Sequence, residues 1–387
     1  IQYSGSIPGL ERIDKMAFFN FSPELVELSE KAMQLCAPQF AELDRMAEYN
    51  GQRVLKAFID NKISDIHMKG TNGYGYGDDG RDKLDAVFAQ ILGAEDALVR
   101  HNFVNGTHTL TTALFGILRP GDLLLSVTGE PYDTMQGVIS GESTGSLKDF
   151  GVKFAKVDLL PDGTPDLEGI RKAAGDCRMA YIQRSRGYSL RPSLTVDVIG
   201  EICAAVRSVN PDCVIFVDNC YGELMEEREP LAVGADLIAG SLIKNLGGGI
   251  AETGGYIAGK ADLVEQCAFR LTTPGTGKEV GASLNQLRGL YLGIFHAPEA
   301  VCAALKTATF AAALAELLGF EAFPKYNEKR TDIIEALKLG GEKQLIAFCQ
   351  GIQAGSPVDS FASPEPWDMP GYDSQVIMAA GAFTMGA

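Results

Sequence analysis

The chain has 387 residues, 46% of them hydrophobic and 22% charged, with a formal net charge of −16; at this length two domains sharing a cleft are expected rather than one core. Its acidity counts against nucleic acid and against an anionic membrane surface, both of which recruit clustered Lys and Arg. No apolar run reads as a membrane span, no basic-then-apolar leader opens the chain, and the eight cysteines are scattered singly, which together read as a cytoplasmic protein with reduced, mostly buried thiols.

In chain order, residues 22–36 and 39–49 carry apolar side chains at three-and-four spacing and predict helices within an N-terminal helical segment, 1–50. A Gly-rich stretch at 69–80 follows, and 81–92 is again helical in pattern. From there apolar runs alternate with helical segments. The runs at 97–100, 122–127, 152–157, 179–183, 213–218, 236–239 and 254–258 suit buried strands; 107–118, 167–174 and 198–209 suit helices between them. This alternation predicts an α/β fold, a mostly parallel seven-stranded sheet with helices on both faces, in a large domain over 51–290. The Ala- and Leu-rich stretch 281–318 predicts long helices leading to a smaller C-terminal α+β domain, 291–387, with a helix near 342–349 and a Pro-rich turn at 363–372. The chain stops at Gly386 and Ala387 with neither a helix stop nor a finished strand, so a missing terminal piece is expected.

Ligands of such sheets sit beyond the carboxyl ends of the strands, and two residues there stand out. Asp218 ends the run 214–217, and Lys244 follows the run 237–239 within Ser241-Leu242-Ile243-Lys244-Asn245, just before glycines 247–249. A carboxylate and a lysine so placed are what pyridoxal 5'-phosphate requires. The carboxylate keeps the ring nitrogen protonated, and contact with an opposite charge shifts a pKa by about 1–3 units. The lysine forms the imine to the cofactor, and when a substrate amine displaces it, it is freed as a neutral amine poised to take the Cα proton. Singly, Lys244 reads as a solvated lysine and Asp218 as a helix cap; the pairing at two strand ends is what favours the cofactor.

Further segments fit the same site. Asn105-Gly106-Thr107-His108-Thr109 follows a strand and opens a helix, which suits a phosphate cradle at the positive helix end, with an ordinary N-cap as the alternative. Ser241 can add a hydroxyl to the phosphate. Tyr132, past another strand in Gly129-Glu130-Pro131-Tyr132, could stack on the cofactor ring, and Tyr221, three after Asp218, could hydrogen-bond the ring oxygen.

Two motifs read as decoys. Residues 75–80 match GxGxxG, but the segment before them is polar and holds no strand. Residues 274–278 resemble half of a nucleotide-binding loop, yet Thr272 and Glu279 stand where Gly and Ser or Thr belong. The four histidines, His67, His101, His108 and His296, show no ligand spacing, so no metal is expected.

With Asp218, Ser241 and Lys244 in view, the chain resembles the cystathionine lyase and methionine γ-lyase group of fold-type-I pyridoxal-phosphate enzymes, and within it the branch named for aluminium resistance. The motifs that carry the resemblance are GYGYGDDGRDKLD (73–85), VNGTHT (104–109), TGEPYDT (128–134), VDNCYGE (217–223), GSLIKNLGGGIAETGGYI (240–257) and SPVDSFASPEPWDMPGYDSQVIMA (356–379). The resemblance implies a homodimer or homotetramer with active sites at the subunit boundary, where Tyr74 and Tyr76 reach the partner's phosphate. It implies Lys244 as imine lysine, Asp218 as pyridinium partner, Tyr132 as stacking ring and residues 106–108 as part of the cradle. The better-known lyases carry Thr just before the lysine, where this chain has Ile243. They also anchor the substrate carboxylate with a C-terminal arginine that has no evident counterpart before Ala387; Arg184, Arg186 and Arg191 are candidate substitutes, with solvated strand-end arginines as the alternative.

The expected function is a carbon–sulfur lyase using pyridoxal phosphate for β- or γ-elimination on a cystathionine-, methionine- or cysteine-like amino acid, with Tyr132 or Lys244 as proton donor. Rival readings are a racemase, aminotransferase or aldol-type lyase on the same cofactor, a catalytically silent binding protein, and a nicotinamide-dependent oxidoreductase using residues 75–80.

Overall fold

The computed structural model describes residues 18–369 and 374–384; part of the Pro-rich turn and the last three residues lie outside the described residues. Helix α1, Pro23–Asp60, opens with Ser22 Oγ accepting from the Leu25 N–H at 3.3 Å and Pro23 in its first turn. The spacing predicts two helices here, broken before Pro38, but the chain runs through as one. The proline removes one backbone hydrogen bond at a cost of roughly 3 kcal/mol. Packing offsets it, because α1 lies along α8, Leu287–Leu317, which itself runs through Pro298. Ala32 and Cys36 before the proline, and Phe40 and Leu43 after it, meet Phe310, Ala313, Val301 and Leu305 of α8. The stretch 281–318 is thus a single long helix after a turn. By length and composition α8 could cross a membrane, contrary to the expectation from apolar runs; here its apolar side chains serve the core, with Leu287, Leu290, Tyr291, Ile294 and Ala297 buried against the sheet's helical cover.

Between these lie α2, Asp79–Leu92, capped by Asp78 and closed by left-handed Gly93, then β1, Asp96–Arg100. Alternation continues through α3 (Gly106–Ile117), β2 (Leu123–Ser126), α4 (Asp133–Ser140), β3 (Lys153–Lys156), α5 (Leu167–Ala173), β4 (Met179–Gln183), α6 (Val196–Arg207), β5 (Val214–Asp218), β6 (Leu237–Ser241), β7 (Gly255–Gly259) and α7 (Ala261–Leu271). The seven strands form one sheet in the order β1-β7-β6-β5-β4-β2-β3, parallel except that β7 runs against both its neighbours. Every residue of β4, β5, β6 and β7 is buried, as a sheet covered on both faces demands. Alternate side chains serve two cores: Ile215 and Val217 face one with α1, α2 and α6, while Val214 and Phe216 face the other with α3, α4 and α7. After α8 come β8 (Glu321–Phe323) and β9 (Ala336–Lys338), an antiparallel pair, then α9, Glu342–Ala354.

Because β4, β5 and β6 are parallel, their carboxyl ends share one sheet edge. Gln183 pairs with Asp218 and Asp218 with Ala239 in the register, so the last residues of β4 and β5 stand side by side and β6 runs two residues further, to Ser241.

Candidate active site

Lys244 sits three residues past the end of β6 in a short turn that folds back to β7. Its Nζ lies 3.9 Å from the centre of the Tyr221 ring. Tyr221 itself holds a left-handed backbone, φ 68°, as does Leu224 at 61°; non-glycine residues adopt this region at a cost of roughly 1–3 kcal/mol and cluster at functional sites. The strained turn after β5 is what swings Tyr221 back over the lysine. Two of the glycines after Lys244, Gly247 and Gly248, serve the turn itself. A Cβ on Gly247 would lie 1.5 Å from the Leu242 carbonyl, and one on Gly248 2.3 Å from the Gly293 carbonyl, so they let the lysine turn close on itself and on α8.

Asp218 is buried at the end of β5. Its Oδ1 accepts from the Cys220 N–H at 3.1 Å and its Oδ2 from the Tyr181 hydroxyl at 3.3 Å. Burial pushes its pKa up, against the pull of Lys244 and of these hydrogen bonds. No guanidinium or ammonium lies within ion-pair distance of it among the described residues, and Lys244 is the cation that acts on it from beyond contact. For Lys244 burial acts downward, but Cys220, Tyr221 and Asp218 outweigh it and the net shift is upward. Cys220 is a thiol whose own pKa burial raises far above its usual value, so at neutral pH the charge facing Lys244 is Asp218.

Gly106 faces this pair from the start of α3. A Cβ built there would sit 3.4 Å from Ser241 Cβ, 3.7 Å from Cys220 Sγ and 4.0 Å from Lys244 Nζ. The missing side chain keeps open a cradle between a helix N-terminus, a buried serine and the lysine. Asn105 caps α3 by accepting the His108 N–H at 2.8 Å, which leaves the first N–H groups of the helix without intrahelical acceptors. Thr107 Oγ1 is 3.1 Å from the Tyr132 hydroxyl and 3.0 Å from Thr134 Oγ1. His108 Nδ1 accepts the Val104 N–H at 3.0 Å, and burial lowers its pKa, so its ring is a neutral part of the loop.

Tyr132 stands at the head of α4, its N–H donating to Gln183 Oε1 at 3.0 Å. Burial, helped by Asp218, pushes its hydroxyl upward, so it is protonated at neutral pH. Tyr132, Thr107, Gly106, Ser241, Asp218, Tyr221 and Lys244 therefore converge on one place. Their donor set fits pyridoxal phosphate: a helix end and hydroxyls for phosphate, an open Gly106 cradle, a buried acid with no cation in contact, and an amine.

The remaining sequence candidates lie elsewhere. Tyr74 and Tyr76 project outward, 78% and 65% exposed, on a loop held by Arg81 bonding to the Gly75 and Gly281 carbonyls; within one chain they do not reach the site. Arg184 is wholly buried and bonded to Asn219 Oδ1 at 2.7 Å and Glu226 Oε1 at 3.0 Å, with Glu229 at 3.6 Å, so the expectation that it binds substrate is corrected: its charge is already neutralised inside the fold. Arg186 lies beside Tyr132 in the wall of a cavity, as does Arg191. Lys278, from the half nucleotide-loop motif, is tied to Asp96 at 2.6 Å and Asp85 at 3.3 Å.

The sequence reading missed Gln183, Cys220 and Tyr181. Gln183 is the last residue of β4 and the strand-end rule would have found it; Tyr181 lies inside that strand, and Cys220 carries no motif signal.

The methionine γ-lyase family profile matches residues 25–387. The uncharacterized protein YnbB of Bacillus subtilis is 48% identical over 350 residues, covering 89% of this chain and 83% of that protein. A solved carbon–sulfur lyase involved in aluminium resistance, from Clostridium novyi, is 50% identical with a TM-score of 0.91, covering 94% of this chain and 87% of that one. The L-methionine γ-lyase of Treponema denticola is more distant, 27% identical over 46% of this chain and 41% of its own length. A profile match over nearly the whole chain, with lyase relatives sharing the sheet that carries Lys244 and Asp218, places the chain in the methionine γ-lyase family of carbon–sulfur lyases.

Proposed function

We propose that the chain eliminates a thiol from a cystathionine-, methionine- or cysteine-like amino acid, with pyridoxal phosphate held by Lys244. The observation that carries this is the convergence of Lys244, Asp218 and Ser241 at adjacent strand ends around the space that Gly106 leaves open. When bound, the cofactor supplies an electron sink that stabilises negative charge at the substrate's Cα. The chain's own groups do the rest. Asp218 would hold a proton on the ring nitrogen, and Ser241, Thr107 and the head of α3 would hold the phosphate. Tyr132 would stack on the ring. Lys244, as a free amine, would take the substrate's Cα proton. The departing sulfur then receives a proton from Tyr132 or Lys244; the upward shift of Tyr132 keeps its hydroxyl protonated for that step.

The exposed Tyr74 and Tyr76 support a homodimer or homotetramer in which these rings complete a neighbouring subunit's phosphate site. The division into a large domain, 51–290, and a small one, 291–387, belongs to the same reading, with α8 bridging them.

The test is an absorbance spectrum of the purified protein before and after borohydride, alongside Lys244→Ala. Wild type should show a visible cofactor band that reduction traps on Lys244, and the variant should lack both band and turnover. A Lys244→Ala protein that keeps a covalent chromophore and thiol release refutes the assignment. With cysteine, cystathionine and methionine as substrates, β-elimination yields pyruvate, ammonia and a thiol, whereas γ-elimination yields a 2-oxo acid one carbon longer.

A further inference from the structure

At the amino ends of β4 and β5, a strand's length away from Asp218, two thiols face each other. Cys177 lies two residues before β4 and Cys213 one before β5, and their Sγ atoms are 3.2 Å apart. Both side chains are buried, yet Gly175 and Asp176 in one turn and Pro211 and Asp212 in the other are exposed. The pair therefore sits one residue beneath the surface. The two turns are also tied to each other. The Val214 N–H donates to the Arg178 carbonyl at 2.9 Å, which carries the β4–β5 ladder up to the cysteines. Asn210 Nδ2 donates to the Ala174 and Cys177 carbonyls at 2.9 and 2.8 Å, and Arg207 Nη1 donates to the Cys213 carbonyl.

Neighbouring strands run roughly 4.8 Å apart, inside the window of roughly 4.4–6.8 Å between Cα atoms that a disulfide accepts. Closing the 3.2 Å gap to a bond of about 2.05 Å moves each sulfur by only about 0.6 Å. The two thiols are chemically unequal. The hydrogen bond between them holds Cys177 below the usual thiol range and, with burial, pushes Cys213 above it. Burial also raises Cys36, Cys203, Cys220, Cys267, Cys302 and Cys349. Of the eight cysteines, Cys177 alone is shifted toward the thiolate, the form that attacks oxidants.

We propose that Cys177 and Cys213 are a reversible redox pair that closes to a disulfide when the protein meets hydrogen peroxide. The Cys177 thiolate attacks one peroxide oxygen; an S–O bond forms, the O–O bond breaks, and the departing hydroxide takes a proton to leave as water. Cys213 then attacks the same sulfur; the S–S bond forms, the S–O bond breaks, and the oxygen leaves with the thiol's proton as a second water. Two thiols and one peroxide become a disulfide and two waters, and a small thiol reverses the change by exchange. The bond closes a loop across 36 positions, which restricts the unfolded chain. Gln183 and Asp218 stand roughly 17 Å away at the far ends of the five-residue strands, so the cofactor site keeps its geometry. Cys220, beside Asp218, stays protonated and is spared.

The test treats the reduced, purified protein with a few equivalents of hydrogen peroxide, blocks the remaining thiols and maps peptides by mass spectrometry without reduction. Two of the eight thiols should disappear into a Cys177–Cys213 cross-link, and dithiothreitol should restore both. The oxidised protein should melt about 5 °C higher, the size expected for closing a loop of 36 positions in a chain of this length, with the cofactor absorbance unchanged. In Cys213→Ser the Cys177 sulfenic acid has no resolving partner and should be captured by dimedone, whereas Cys213 in Cys177→Ser should stay unlabelled. Thiol loss at other cysteines with no Cys177–Cys213 peptide overturns the pair, and that result on wild type needs neither variant to fold. Dimedone on Cys213 in Cys177→Ser overturns the assignment of Cys177 as the attacking thiol.

Discussion

Glu223 offers a prediction whose size follows from the fold. Its side chain is fully buried behind β6, where Oε1 accepts from the Tyr256 hydroxyl at 2.8 Å and Oε2 has no partner. Its backbone carbonyl accepts from Asn245, the neighbour of Lys244, at 2.9 Å. Burial pushes its pKa up to about 8 from an ordinary 4.5. A raised carboxyl pKa means that the folded protein keeps a proton which the unfolded chain releases. The associated stability is complete below about pH 4.5 and is lost as pH climbs through about 8. Between pH 5 and pH 8 this one group should cost the native state about 3 to 4 kcal/mol. Glu223→Gln keeps the shape and cannot ionise. Denaturant unfolding of both proteins at pH 5 and pH 8 should show wild type losing that much more than the variant across the interval, whatever their absolute stabilities. Infrared difference spectra supply a direct view, since a protonated carboxyl band present in wild type at neutral pH should be absent from the variant. Parallel pH profiles for the two proteins would show that Glu223 is ionised in the fold and refute the burial argument.

Other consequences are checked more briefly. Asp218→Asn keeps the hydrogen-bonding shape and removes the charge, so kcat for thiol release should fall by roughly 10- to 1,000-fold, matching the loss of about 1–3 pKa units of support for the ring nitrogen; a kcat within threefold of wild type removes its role. Gly106→Ala places its Cβ at ordinary packing distance from Ser241. Its unfolding midpoint should therefore hardly move, while cofactor affinity, measured by equilibrium absorbance titration, should drop at least about tenfold as the cradle fills; unchanged affinity would relocate the phosphate. The upward shift of Lys244 in the cofactor-free protein means that the amine must shed a proton before it can bond an aldehyde, so the reconstitution rate should rise about tenfold per pH unit from pH 6 to 8, and a flat profile counts against it. Arg184→Met should destabilise by about 3 kcal/mol or more, because Glu226 and Glu229 lose a buried counter-charge; a denaturation midpoint equal to wild type would contradict that.

Read from one dimension, the chain determined its sheet and the heart of its site. All seven strands lie where apolar runs of four to six residues predict them; the signal is strongest in β4 to β7, buried throughout, because a strand covered on both faces must be largely apolar and so writes itself into the sequence. The strand-end rule placed Asp218 and Lys244 together for the same reason: parallel strands bring their carboxyl ends to one edge wherever they fall in the chain. What the sequence could not decide depends on partners far away in number. Pro38 breaks a helix on local grounds, and only the length of α8 lying against α1 reverses that. Arg184, Arg186 and Arg191 look alike in sequence, yet acids some forty residues further on pair with the first, while the last is hydrogen-bonded to backbone carbonyls. Pairing of charge is a property of the packed interior, so tertiary structure alone distinguished an arginine in a buried ion pair from one held by backbone carbonyls.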